Sequence, residues 1–115
     1  MMLAEKIILD FLKDELHTAQ IPVYMERPAN CPDEFVLIEK TGGGATDHIE
    51  RGTFAIQSIS TSLYKSACLN DTVKNKMLHL TEKTPIMRCH LNSDYNFTNT
   101  NTKEYRYQAV YEINY

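Results

Sequence analysis

Tyr105-Arg106-Tyr107-Gln108-Ala109-Val110-Tyr111-Glu112-Ile113-Asn114-Tyr115 is the stretch that decides the fold. Tyr105, Tyr107, Ala109, Tyr111, Ile113 and Tyr115 alternate with Arg106, Gln108, Glu112 and Asn114, and only Val110 breaks the pattern. A period of two gives a strand with one apolar face. Such a face needs a covering layer, so the rest of the chain must supply helices or a second sheet.

Two segments have the required helical period. In residues 3–19, Ile7, Ile8, Phe11, Leu12 and Leu16 share one side, with Lys6, Asp10, Lys13 and His17 on the other, and Pro22 bars continuation. Ser62 is a plausible N-cap for a second helix, in which Leu69, Val73, Met77 and Leu80 recur on one stripe before Thr84-Pro85 stops it. Between the helices, Pro22-Val23-Tyr24-Met25-Glu26-Arg27-Pro28 suits an edge strand bracketed by prolines. Phe35-Val36-Leu37-Ile38 is apolar at successive positions, the mark of a strand covered on both sides, and Thr53–Ser60 resumes an extended pattern with Phe54 and Ile56 on one face and Ala55 and Ile59 on the other. Gly42-Gly43-Gly44 reads as the end of the first arm and the start of a flexible tip reaching Glu50. Met87, Cys89 and Leu91 predict a half-buried strand, and Asn92–Lys103 a polar loop. The expected order is αβββαββ: a single two-layer α+β domain over residues 1–115. Its sheet of about five strands is antiparallel or mixed, with both helices on one face.

Composition restricts function more than it identifies it. The 115 residues hold 12 Lys plus Arg against 15 Asp plus Glu, a formal net charge of -3 with no basic stripe, which disfavours nucleic acid as a partner. No apolar run approaches the roughly 20 residues that span a bilayer, and no signal-peptide core is visible, so a cytoplasmic, membrane-free protein is expected. Cys31, Cys68 and Cys89 are an odd number at wide spacing, which fits reduced thiols.

Chemical motifs are weak. His17, His48, His79 and His90 are scattered, and Cys89-His90 sit on opposite faces of one strand, so no metal site is expected. Gly42-Gly43-Gly44 lacks both the spacing and the following helix of a phosphate-binding loop, so no cofactor is expected. Asp47, His48 and Glu50 contain acid-base groups, but a flexible tip holds catalytic geometry poorly, and solvated polar residues are the preferred reading over a small hydrolase. The tyrosines of the last strand read first as a sheet face under the helices and second as an adhesive surface. The edge near Val23 would also accept an added peptide strand, the reading of a regulatory binding module.

The phrases Pro22–Pro28, Phe35-Val36-Leu37-Ile38-Glu39-Lys40-Thr41-Gly42-Gly43, Ala55-Ile56-Gln57-Ser58, a helix carrying Ala67, and Tyr105-Arg106-Tyr107-Gln108-Ala109-Val110-Tyr111 together span nearly the whole chain. In that order they resemble small tail terminator proteins of phages and prophages with long non-contractile tails, the family of the phage lambda terminator. The resemblance implies a non-enzymatic α/β subunit that forms a ring, a hexamer in the family, on the head-proximal end of the tail tube. The ring ends tube polymerisation and offers the surface to which the filled head attaches. Its partners would be other copies of itself, the major tail tube protein and a head-completion or connector protein, first in the host cytoplasm and then in the virion. A head-completion or minor tail component is the neighbouring reading. No catalytic, metal or cofactor residues carry over. Gly42, Gly43, Gly44, Asp47, His48 and Arg51 at the hairpin tip, with Asn96 and Asn99 in the later loop, are the candidate contact residues, expected to order on contact.

Overall fold

The computed structural model describes residues 3–46, 49–83 and 86–115. Helix α1 (Ala4–Glu15) is followed by β1 (Val23–Tyr24), β2 (Phe35–Thr46), β3 (Ile49–Ser60), α2 (Leu63–Met77), a 3-10 turn (Leu80–Glu82), β4 (Arg88–Asn96) and β5 (Tyr105–Asn114). The sheet order is β1-β2-β3-β5-β4, with β1 parallel to β2 and every other pairing antiparallel. This is the expected αβββαββ, α+β arrangement, and its sheet is mixed.

Both helices cover one face, called here the helix face. Ile7, Ile8, Phe11 and Leu12 of α1 and Leu69, Val73 and Met77 of α2 meet Val36, Ile38, Phe54, Ile56, Ala109, Tyr111 and Ile113 in one core. Burying each of the Val, Leu, Ile, Phe and Met side chains among them stabilises the fold by about 1.5–3 kcal/mol. Ser62 caps α2 as its sequence suggests, its hydroxyl accepting from the Lys65 N–H at 3.1 Å. Helix α1 ends at Glu15, four residues before the expected boundary, because the chain turns through Leu16 to Gln20, with Gln20 in the left-handed region at φ 58°. The expected stop at Thr84-Pro85 lies outside the described residues.

Three expectations are corrected. Gly42–Gly44 do not end the strand: they pair with Thr53, Gly52 and Arg51 beyond a bulge at Thr41, so β2 and β3 run on as a twelve-residue arm each. Met87 and Leu91 are exposed and only Cys89 is half-buried, because the cover supplied by α2 stops short of the outer edge of β4. Asn92–Asn96 belong to β4, so the polar loop shrinks to a tight connection closed by an Asn99–Glu104 bridge.

Candidate assembly surfaces

The opposite face of the sheet carries no helix, yet much of it is already closed. Phe35, Ala55, Gln57 and Ile59 are buried there, and Leu37 and Val110 half-buried. The segment after β1 accounts for one end. Tyr24 meets the Phe35 ring edge-on at 5.9 Å, and Arg27 lies 5.7 Å over the same ring. Arg27 then donates twice to the Glu104 carboxylate, at 2.6 and 3.0 Å, across the sheet from β1 to β5. This bidentate pairing, the larger effect against desolvation, raises the Arg27 pKa above its ordinary value. Glu104 also accepts from Arg106, whose guanidinium stacks 4.6 Å from the Phe97 ring, which in turn meets Tyr95 edge-on. Toward the middle, Gln108 donates to the Tyr95 hydroxyl and Gln57 donates to Gln108 at 3.1 Å. Much of this face is therefore closed by the chain itself. The Arg27–Glu104 clasp joins residues 77 apart, and no local pattern announces it.

At the far end of the sheet the β2–β3 arm stands on four glycines. None of them has a positive φ, so turn geometry does not require them. Gly52 is required by packing: a Cβ there would lie 2.5 Å from the buried Phe54 ring. Lys40 folds along Gly43 and Gly52 and donates to the Tyr115 hydroxyl at 3.3 Å, which holds its pKa above the usual lysine value. The Arg51 guanidinium lies along Gly44. Gly43, Arg51, Gly52, Thr53, Glu112 and Asn114 line an open polar hollow of about 460 Å³ at this end.

Of the contact residues expected from sequence, the structure thus brings Gly42, Gly43, Gly44 and Arg51 together on the arm. Asp47 and His48 lie outside the described residues. Of the acid-base group only Glu50 is placed, exposed and exchanging backbone hydrogen bonds with Tyr115. Asn96 and Asn99 sit at the other end of the sheet and are engaged locally. Asn96 Oδ1 accepts from the Thr98 N–H at 3.0 Å, and Asn99 Oδ1 from the Asn101 N–H at 3.1 Å, so both carboxamides shape the β4–β5 turn. Gly42–Gly44 are already in a paired strand, so ordering on contact does not describe them.

The outer strand β4 is the more exposed surface. Met87, Leu91, Tyr95 and Phe97 run along it, each 38–57% exposed. Cys89 shares the helix face with Leu91 but is half-buried, and burial pushes its thiol pKa up to about 11. Tyr111 on the next strand is shifted upward chiefly by burial too. Among the described residues no group of three His, Cys, Asp or Glu side chains is placed to hold a metal ion, and no helix is long and apolar enough to cross a membrane. No protein-family model matches the chain, and no curated protein matches it.

Proposed function

We propose that the chain is a structural subunit of a phage or prophage tail: copies close into a ring, a hexamer, that caps the head-proximal end of a non-contractile tail tube. The ring stops tube growth and presents the surface that a head-completion or connector protein meets. The work is done by shape and adhesion, with no bond made or broken. Cytoplasmic assembly followed by incorporation into the virion goes with this role.

The single observation that carries the reading is β4: a nine-residue strand open along its outer edge and flanked by exposed Met87, Leu91, Tyr95 and Phe97. Edges of this length template pairing with another chain, and soluble proteins normally blunt them or use them. Together with the phrases that resemble tail terminators, such an edge suits a protein whose task is to be joined on several sides.

Removal of the gene from its phage or prophage tests the role. Overlong tubes without heads are the expected phenotype, reversed by supplying the protein. Tubes of normal length that merely fail to join heads would instead identify a head-completion component, and unchanged particle yield would reject a tail role altogether.

A further inference from the structure

The sheet has two unpaired edges, and the hydrogen-bond pattern shows which backbone groups face outward on each. Glu50 and Tyr115 exchange both backbone bonds, so the odd-numbered residues of β5 face β3 and the even-numbered ones face β4. Phe97 donates to the carbonyl of Arg106, in agreement with that alternation. On β4 this turns Arg88, His90, Ser93 and Tyr95 inward and leaves the N–H and C=O of Cys89, Leu91, Asp94 and Asn96 pointing away from the sheet. On β2 the same reasoning turns Glu39, Gly42 and Gly44 toward β3. Val36 bonds outward to Pro22 of β1, so Lys40, Gly43 and Ala45 also point outward, beyond the reach of the two-residue β1.

These two edges fit one another. Strand direction alternates from β2 through β3 and β5 to β4, so β4 is antiparallel to the β2 of a copy placed beside it by a rotation about the strand direction. The rows also correspond. Cys89, Ile113, Gly52 and Gly43 form one row across the sheet, and Leu91, Tyr111, Phe54 and Lys40 the next row with outward backbone at both ends. Arg88 brings a guanidinium and His90 an imidazole to the helix-free face, and Glu39 is the acid that β2 contributes to that face. Opposite the bulky Arg88 and His90 side chains stand Gly44 and Gly42, whose positions would admit a Cβ in the isolated subunit: the nearest neighbours are the flexible Arg51 side chain at 3.4 Å and Thr53 at 3.9 Å. Glycine inside a strand marks close approach of another backbone.

We infer that the outer edge of β4, over Arg88–Leu91, pairs antiparallel with the free edge of β2, over Lys40–Ala45, of a second copy of this chain; Met87 is not part of it, because its N–H already donates to the Asn114 carbonyl at 2.9 Å. The contact continues the sheet from subunit to subunit. The bulge at Asn92 interrupts the outward row of β4, so the pairing stops at Leu91, before it reaches the positions of β2 that β1 already occupies. The junction is heterologous, each subunit using two different edges, so it propagates until a rotation closes it. It rests on the ring proposed above and specifies which surfaces make it.

Proline at an outward position removes an edge donor without touching a bond inside the sheet. Leu91→Pro should disable the β4 edge and Ala45→Pro the β2 edge, each leaving a folded monomer of 13.3 kDa and weakening association at least about 100-fold. Mixed together, the two variants retain one good edge each and should form a dimer that grows no further. As a check free of proline, Lys40→Cys combined with Leu91→Cys, in a background with Cys31→Ser and Cys68→Ser, should oxidise to a ladder of linked species; either cysteine alone should not. Uniform rings from either proline variant would overturn the edge junction while leaving the capping role standing. So would folded variants that stay monomeric on mixing, a missing ladder, or wild-type protein that remains a monomer at millimolar concentration. A phage lacking the gene but making normal tails would remove the capping role and leave the junction to be judged on mass alone.

Discussion

Gly52 and Phe54 show how one atom decides a position. The Phe54 ring is fully buried and lies where a Cβ on residue 52 would stand, so Gly52→Ala must displace an immobile ring. Overpacking of this kind costs about 1–3 kcal/mol, read as a lower urea midpoint, whereas Gly42→Ala meets only Thr53 at 3.9 Å and should leave the midpoint within about 0.5 kcal/mol of wild type. Cys89 makes a second residue-scale prediction. Its folded pKa of about 11 lies above the unfolded value of about 8.5, so the folded chain holds the proton more tightly. The stability this contributes is complete below about pH 8.5 and drains away as pH rises through about 11. Tyr111 acts in the same sense. Wild-type stability should therefore fall more steeply than that of Cys89→Ala over this range, and equal slopes would refute the assignment. With a thiol reagent at neutral pH, exposed Cys31 and Cys68 should react in the native protein and Cys89 only on unfolding.

At the scale of elements, the segment after β1 acts as a strap held by Arg27 on Glu104. The pair is partly exposed, so a double-mutant cycle over Arg27→Ala and Glu104→Ala should return about 0.5–1 kcal/mol of coupling, with faster proteolysis between residues 25 and 34 in either single variant. A coupling of zero would mean that stacking on Phe35 alone holds the strap. Strand faces, the helical stripes and the Ser62 cap were legible because each is a local pattern with a fixed period or offset. Other features depend on partners distant in sequence. Alternation in Met87, Cys89 and Leu91 says which residues share a face but not whether α2 reaches far enough to cover it. Glycine usually signals a turn, so Gly42–Gly44 read as a tip although their partners on β3 keep them extended. Arg27 and Glu104 are joined only by the folded sheet. At the candidate surface, the sequence does not disclose that the Asn96 and Asn99 carboxamides hold the β4–β5 turn, since a short carboxamide suits a contact and an Asx turn equally well.

The whole molecule is a two-layer α+β domain that covers one sheet face with helices, closes much of the other with its own strap and side chains, and leaves the outer edge of β4 unpaired. Such a shape favours lateral joining over stacking, which is the geometry a cap of repeated copies needs. In the proposed function, those copies sit as a ring on the end of a tail tube. Electron microscopy of the purified protein mixed with overlong tail tubes addresses it directly. Rings of one diameter at a single end of each tube, with further growth arrested, are the predicted result; tubes that keep lengthening with bare ends in the presence of excess folded protein would contradict it.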